Sequence, residues 1–360
     1  MSRRSTAGFD ASAVRVRVPF RRAFVTGAGT FRERDAWLVL LRDADGREGV
    51  GEASLDPGAG PALLLALADA VRAAVLAGGA PRDDGPSDAV TLAVRSAFAG
   101  AAADLALHGT PAAAGFVPVN ETIASAALDD TLDAAEAALV AGFDCLKLKC
   151  GVEHTTEGLV ERLTLVRALA GDDIEIRLDA NGAWDPATAA ERLGAVGHLG
   201  ISYVEQPVAA GDLATMAWLR RVAPVDIAAD ESVGSRADAD AVLAAEAADV
   251  LVVKPARVGG PGETAAVAAA AAAHGVGVTV STLLETGVGL AAAIRAAATL
   301  PGGNAAWAHG LATSDLLVSD LLATPLAVHD GRVAIPAEPI VLDEAALARS
   351  TVDRVDGTRR

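Results

Sequence analysis

The 360-residue chain contains very little lysine, because 27 of its 30 basic residues (30 − 3) are arginines. It has two cysteines, and neither Cys145 nor Cys150 belongs to a CxxC or Cys/His pattern. Five residues along a predicted strand correspond to roughly 16 Å at ~3.3 Å per residue, which is too far for a disulfide. A disulfide framework is therefore excluded, and a structural zinc site is not expected.

Positive charge is also scarce. The formal net charge of −17 at pH 7 argues against a nucleic-acid-binding surface or an anionic-membrane surface. Apolar segments such as 265–273 are Ala-rich and end within about a dozen residues, whereas a membrane-spanning helix needs about 20. No apolar signal-peptide region follows the N-terminal MSRRSTAGFD. We therefore expect a cytoplasmic protein without nucleic-acid or membrane partners, and we leave its oligomeric state open.

The first third of the chain predicts an α+β unit. Alternating apolar runs such as VRVRVPF (14–20), with a DG turn farther on, predict antiparallel strands. Two Ala/Leu-rich stretches that follow predict helices. We assign this unit to residues 1–112. The tail, 324–360, is expected to return to it through a hairpin at PLAVHDGRVAIP (325–336).

The rest of the chain alternates between short β-branched runs and Ala/Leu-rich helical stretches. Such alternation predicts an α/β fold of the (β/α)₈ barrel type, here over residues 113–323. A doubly wound open sheet is the alternative, but no GxGxxG follows the first strand. The eight predicted strands are 117–123, 145–149, 174–180, 202–207, 225–231, 250–255, 277–282 and 306–310.

Three consecutive predicted strands end in carboxylates, namely Asp179, Glu205 and Asp230. An Asp at a strand end is usually the N-cap of the next helix, and that interpretation stays open for Asp179 and for ADES (229–232). In a barrel, however, all three would meet at the C-terminal face. Repulsion between like charges there favours a bound cation, and oxygen ligands of this kind suit Mg²⁺.

The three lysines lie at strand ends on both sides of these carboxylates. Lys147 and Lys149 share the second strand and point the same way, and Lys254 ends the sixth. Arginine is effectively never deprotonated, whereas a nearby metal ion and a second ammonium can lower the pKa of a lysine until it accepts a proton. A solvated edge strand is the alternative, but it leaves the placement of so scarce a residue unexplained.

Together, the segments KLK, DAN, EQP, ADES and KPARVGG resemble the enolase superfamily, specifically its muconate-cycloisomerase-like subgroup. The resemblance covers nearly the whole chain. It implies a modified TIM barrel of the (β/α)7β type, with an α+β capping domain completed by the C-terminal tail. It also implies a Mg²⁺ ion, for which Mn²⁺ is a possible substitute, and a lysine base. In this resemblance the Mg²⁺ ligands are Asp179, Glu205 and Asp230, and the general base is Lys149. Lys147 is the electrostatic neighbour of the base, and Lys254 is the lysine on the opposite face. Asn181 and Glu231 lie where the family has residues that support the ligands.

Three further segments resemble the o-succinylbenzoate synthase branch: VPVNETI (117–123), STLLETGVGLAAA (281–293) and HGLATSDLLVSDL (309–321). This resemblance implies the dehydration of 2-succinyl-6-hydroxy-2,4-cyclohexadiene-1-carboxylate to 2-succinylbenzoate in menaquinone biosynthesis. The partner is then a small-molecule carboxylate. Ser281, Gly310 and Leu311 are candidates for holding its carboxylates, and the loop 27–34 for closing over it.

Other reactions on the same scaffold stay open. An N-acylamino-acid racemase, another epimerase or a cycloisomerase would use the same lysines. Dipeptide epimerases carry an Asp-x-Asp motif after the last strand, but here that position reads Ala308, His309 and Gly310. We expect His309 to be a hydrogen-bonded core histidine. A Schiff-base aldolase could also use a barrel lysine, but it would not need three carboxylates on adjacent strands.

Overall fold

An antiparallel sheet built from both ends of the chain forms the cap. The computed structural model describes residues 9–26, 29–82, 87–125, 127–151, 153, 155–301, 303 and 306–357. Four strands pair in the order β14, β1, β2, β3, so the last strand of the chain lies beside the first. Their bounds are β1 Asp10–Thr26, β2 Gly29–Arg42, β3 Glu48–Ala53 and β14 Thr351–Asp356.

Two helices, α1 Pro61–Ala77 and α2 Ala89–Ala106, cover one face of this sheet. Helix α1 begins with Pro at its first turn and ends at Gly78, whose φ of 75° is left-handed. The side chain of Asp88 caps α2 by accepting from the Thr91 amide at 3.0 Å. By length and composition α2 could cross a membrane, but 56% of that apolar window is buried. It packs in the cap core with the sheet and α1.

The remaining elements form a barrel. Seven parallel strands pair in chain order from β5 to β11, and helices follow them. The fold predicted from the sequence, a modified barrel with an α+β cap, is confirmed. The seven strands are β5 Glu121–Ile123, β6 Cys145–Lys149, β7 Glu175–Asp179, β8 Ile201–Glu205, β9 Asp226–Ala229, β10 Val250–Val253 and β11 Gly277–Val280, whereas β4 Phe116–Pro118, which precedes them, belongs to a separate sheet. The helices are α3 Leu128–Val140, α4 Thr156–Ala170, α5 Pro186–Val196, α6 Leu213–Val222, α7 Arg236–Ala244, α8 Pro255–Val258, α9 Pro261–Ala273 and α10 Gly287–Ala298.

The eighth predicted strand, 306–310, does not form as a strand. Two isolated parallel bridges close the barrel there, Val119 with His309 and Ser281 with Gly310. We call residues 308–311 the closing segment. Gly310 lies close to β11 at this point, because a Cβ on it would lie 2.8 Å from the Ser281 Oγ, so the Ser281 side chain would have to move. The segment AWAHG also lacks β-branched residues, which favour extended strands.

The C-terminal tail only partly returns to the cap. Its hairpin forms from β12 Val328–His329 and β13 Arg332–Ala334. The two turn residues, Asp330 and Gly331, have φ of 48° and 63°, as a type I′ turn needs. However, β13 pairs with β4 at the start of the barrel rather than with the cap sheet. The end of the tail does join the cap, because α11 Glu344–Ser350 packs Ala346 against the cap strands and β14 pairs with β1. The domain boundary at residue 112 stays a prediction.

A buried carboxylate of the cap joins it to the barrel. Glu52, which is 5% exposed, lies on β3 and reaches the N-terminus of α10. It accepts hydrogen bonds from the Thr286 hydroxyl at 2.6 Å, the Gly289 amide at 3.0 Å and the Thr286 amide at 3.2 Å. Since α10 follows β11, this contact also fixes the loop that ends β11.

Candidate active site

Strand register brings the predicted site residues together at the carboxyl ends of the barrel strands. Lys149 is opposite Asp179 on the next strand, and Asp179 is opposite Glu205 on the strand after that. Neighbouring parallel strands lie about 4.8 Å apart, so these side chains emerge side by side. The helix N-caps are Asp185 for α5 and Ser235 for α7, so neither Asp179 nor the ADES segment serves as a cap.

Lys147 lies between two of the carboxylates. It is 8% exposed, and its Nζ lies 3.1 Å from each oxygen of Glu205 and 3.0 Å from Asp179 Oδ2. Burial opposes its charged form, but Asp179 and Glu205 outweigh burial and hold the pKa of Lys147 well above its ordinary value. Lys147 is therefore a cation in this site. It compensates the carboxylates and is not suited to be a base.

Lys149 occupies the outer position on the same strand. Its side chain is 30% exposed, and its Nζ donates to Asp179 Oδ2 at 2.6 Å and to Asn181 Oδ1 at 2.8 Å. Asn181 has a φ of 48°, a left-handed conformation that Asn tolerates. It donates in turn to Glu231 Oε1 at 3.0 Å, so the two predicted supporting residues contact each other. Lys149 thus combines a fixed ammonium position with access from solvent.

Lys254 faces the site from the opposite side. It immediately precedes α8, and its Nζ donates to both oxygens of Asp230, at 2.5 Å to Oδ2. Arg257 also donates to Asp230, at 3.2 Å, and binds Asp56 of the cap at 2.6 Å. Burial opposes ionisation of Asp230, but Lys254 and Arg257 outweigh it and hold its pKa at about 2.

Glu205 is the least compensated of the three carboxylates. Burial raises its pKa to about 8, the charge of Asp179 adds to the increase, and Lys147 opposes it. Burial likewise opposes ionisation of Asp179, but Lys147 and Lys149 hold the pKa of Asp179 below its ordinary value. The neighbouring Glu231 Oε2 is buried and has no hydrogen-bond partner. The site therefore has buried carboxylate oxygens that another cation could satisfy.

The chemistry of these donors fits a hard divalent cation such as Mg²⁺, which prefers carboxylate oxygens. Asp179, Glu205 and Asp230 end adjacent strands, and all three are buried. Within the described part of the chain, however, no three His, Cys, Asp or Glu side chains are already grouped for a metal. Ammonium groups of lysines contact each of the three carboxylates instead.

The predicted substrate contacts lie where β11 meets the closing segment. Ser281 pairs with Gly310, and its hydroxyl lies 3.5 Å from the Gly310 carbonyl. Leu311 is fully buried. His309 is buried, and its Nδ1 accepts from the Val280 amide at 3.1 Å, so the predicted core histidine is confirmed. In the predicted loop 27–34, residues 27 and 28 lie outside the described residues, and β2 begins at Gly29.

Sequence reasoning did not find Gln206, although it lies within the EQP segment. Gln206 is fully buried and has a φ of 41°. Its Oε1 accepts from the amides of Asp230 and Ser232 at 3.1 Å each, and its Nε2 donates to the Ser232 hydroxyl at 2.9 Å. One amide side chain therefore ties the end of β8 to the loop that carries Asp230.

Comparisons with known proteins agree with this arrangement. Residues 130–339 match the family described as "Enolase C-terminal domain-like". The o-succinylbenzoate synthase of Thermobifida fusca (strain YX) is 37% identical over 66% of this chain and 71% of its own length. Muconate cycloisomerase 1 of Pseudomonas putida is 29% identical over 89% of this chain and 91% of its own.

Solved structures resemble the whole chain. A muconate lactonizing enzyme from Pseudomonas fluorescens, complexed with muconolactone, superimposes with a TM-score of 0.84 at 26% identity, over 97% of this chain and 100% of that one. An N-succinyl Arg/Lys racemase from Bacillus cereus reaches a TM-score of 0.83 over 98% of this chain and 100% of its own. Its identity of 21% supports likeness of fold alone.

Proposed function

Since this chain belongs to the enolase superfamily, we propose that it is a Mg²⁺-dependent o-succinylbenzoate synthase. The observation that carries this choice is the 37% identity to the Thermobifida fusca synthase, over 71% of that enzyme. The reaction is the dehydration of 2-succinyl-6-hydroxy-2,4-cyclohexadiene-1-carboxylate to 2-succinylbenzoate, a step in menaquinone biosynthesis. The proposed location of the enzyme is the cytoplasm.

Asp179, Glu205 and Asp230 are the residues that would hold Mg²⁺, with Mn²⁺ as a possible substitute. When bound, the ion supplies positive charge at the substrate carboxylate, where negative charge develops as the α-proton leaves. Asn181 accepts from Lys149 and donates to Glu231, and so it keeps Lys149 beside this position. Gln206 accepts a hydrogen bond from the Asp230 amide and so keeps the loop of Asp230 in place.

Lys149 acts as the base in this proposal. Its neutral amine takes the proton α to the ring carboxylate, and the electrons of that C–H bond move into the carboxylate. The ammonium that results then gives its proton to the 6-hydroxyl, the C–O bond breaks, and water leaves. The electrons that had moved into the carboxylate return to the ring and complete its aromatic system. One residue on one face of the ring thus serves both steps, as general base and then as general acid.

Lys254 and Lys147 remain cationic throughout. Lys254 lies on the opposite side, and its ammonium stabilises the negative charge on the substrate as Lys149 removes the proton. The same ammonium can lie against the ring in a cation–π contact. Lys147 keeps the charge of Asp179 and Glu205 compensated beneath the reacting atoms. The Ser281 hydroxyl would donate to a substrate carboxylate, whereas the amides of Gly310 and Leu311 already donate to the carbonyls of Val280 and His309.

The experiment that tests this function offers the purified protein three substrates in parallel with Mg²⁺. They are the cyclohexadiene carboxylate, N-acylamino acids and cis,cis-muconate. Rapid formation of 2-succinylbenzoate, abolished by EDTA and restored by Mg²⁺, supports the proposal. Racemisation without dehydration, or lactone formation alone, would assign the chain to another reaction of the superfamily.

A Schiff-base aldolase is tested in the same preparation. Borohydride added with a carbonyl substrate reduces a Schiff base to a stable secondary amine on the lysine. The proposal predicts no such adduct on Lys147, Lys149 or Lys254 by mass spectrometry. An adduct on one of them, with activity that survives EDTA, would favour the aldolase.

A further inference from the structure

The barrel interior contains a buried arginine that the proposed reaction does not use. Arg177 is 1% exposed and lies on β7, two residues before Asp179, so both side chains face the interior. A buried guanidinium must be compensated, because leaving it unpaired costs several kcal/mol or more. Its compensation does not come from Asp179.

The partners of Arg177 lie below the site and across the barrel. Its Nε and Nη2 donate to the two oxygens of Glu175 at 2.7 and 3.0 Å. Its guanidinium lies 4.9 Å from the centre of the Tyr203 ring. The remaining nitrogen, Nη1, donates to the carbonyl of Ala308 at 2.6 Å. This last bond links the third strand of the barrel sheet to the closing segment.

Other hydrogen bonds hold the closing segment at His309 and Gly310. It replaces a full strand with two isolated bridges. The His309 amide donates to Pro118, the His309 carbonyl accepts from the Asn120 amide, and the Gly310 amide donates to Val280, each at 2.9 Å. A charge-assisted bond from a rigid, planar guanidinium is stronger than a neutral one and restricts direction. The Arg177–Ala308 bond therefore adds a strong, directional link at the start of this segment, next to the bonds of His309 and Gly310.

We propose that Arg177 is a positioning residue, which fixes the closing segment so that Gly310, through its bridge to Ser281, keeps the Ser281 hydroxyl in a constant position for the substrate carboxylates. The substrate contact rests on the proposed function, whereas the link to Ala308 does not. Glu175 accepts both other hydrogen bonds of the Arg177 guanidinium. Because the Glu175 side chain is 35% exposed, it can remain solvated when Arg177 is replaced.

The first test uses the ligand-free protein and needs no reaction. In Arg177→Met, hydrogen–deuterium exchange of the peptide covering residues 306–311 should become about tenfold faster, because one charge-assisted hydrogen bond is lost. Unchanged exchange of this peptide in a folded variant would overturn the proposal. If Arg177→Met does not fold, Arg177→Lys applies the same criterion, since one ammonium cannot replace the guanidinium fork to Glu175 and Ala308.

Arg295→Met is the matched control. Arg295, whose side chain is 14% exposed, likewise donates to a carboxylate and to backbone carbonyls, namely Asp104, Pro336 and Glu338, each at 2.8 Å. It lies on α10, away from the barrel interior. Its replacement should lower stability without changing exchange at 306–311. Equal acceleration in both variants would mean general loosening, and it would refute a specific role for Arg177.

The second test measures catalysis. Arg177→Met should raise KM for the cyclohexadiene substrate about tenfold while kcat falls less than about threefold, because binding contacts are disturbed and the lysines are not. A fall in kcat at constant KM would contradict the positioning role. If the wild-type protein does not dehydrate this substrate, the proposed function fails, but the exchange result still decides the role of Arg177.

Discussion

The contact of Glu52 with the barrel predicts a large loss of stability on substitution. Replacing Glu52 with alanine removes the acceptor of the Thr286 hydroxyl and of the Thr286 and Gly289 amides at the start of α10. Hydrogen bonds to a charged group contribute about 1.5–3 kcal/mol each and are not additive. Since water can reach some of these donors after substitution, we expect a total loss of about 3–5 kcal/mol in the free energy of unfolding.

Urea unfolding followed by circular dichroism measures this change. Glu52→Gln keeps one acceptor oxygen and should lose about 1–2 kcal/mol. Glu48→Ala is the matched control on the same strand, because the Glu48 side chain is 41% exposed and pairs with Arg42 at the surface. That control should change stability by less than about 1 kcal/mol. A loss below about 1 kcal/mol in Glu52→Ala would refute the view that this carboxylate joins cap and barrel.

Three further outcomes follow from the structure. Burial raises the pKa of Glu285 to about 7 from 4.5, so the folded state binds this proton more tightly than the unfolded state does. The free energy of unfolding should therefore fall by up to about 3 kcal/mol as the pH rises from 4.5 to about 7. Glu285→Gln should flatten that part of the stability curve in thermal unfolding at pH 5 to 8, and an unchanged slope would contradict the assignment. Gln206→Leu should weaken Mg²⁺ binding about 10- to 100-fold by calorimetry, because the Asp230 loop loses its support; equal affinity would show that Gln206 does not act on the site. Mg²⁺ at about 100 times its dissociation constant should stabilise the fold by about 2.7 kcal/mol, and no shift would argue against binding to the native state.

Most barrel strands could be predicted because local pattern and burial agree. β6 was predicted at 145–149, which are its observed bounds, and β7 differs from its predicted range by one residue at each end. The site residues could be predicted for a related reason. Charged side chains at the ends of buried parallel strands must emerge together, so chain position alone brings Lys149, Asp179 and Glu205 side by side.

Features that depend on distant contacts could not be predicted. The closing segment is held by partners on β4, β7 and β11, and nothing within AWAHG indicates them. The hairpin of the tail could be recognised from its DG turn, but not its pairing with β4. Gln206 lies within the EQP segment and Arg257 within the KPARVGG segment. Their contacts with Asp230 arise only when neighbouring strand ends are brought together in space.

The central claim is that Lys149 is the base, and Lys149→Arg tests it most directly. Arginine keeps the positive charge near Asp179 but is effectively never deprotonated. The variant should retain its fold and Mg²⁺ binding, and its kcat for dehydration should fall by at least about 100-fold, as expected for loss of general acid–base catalysis. Lys149→Arg that keeps most of the wild-type kcat would contradict the assignment of Lys149.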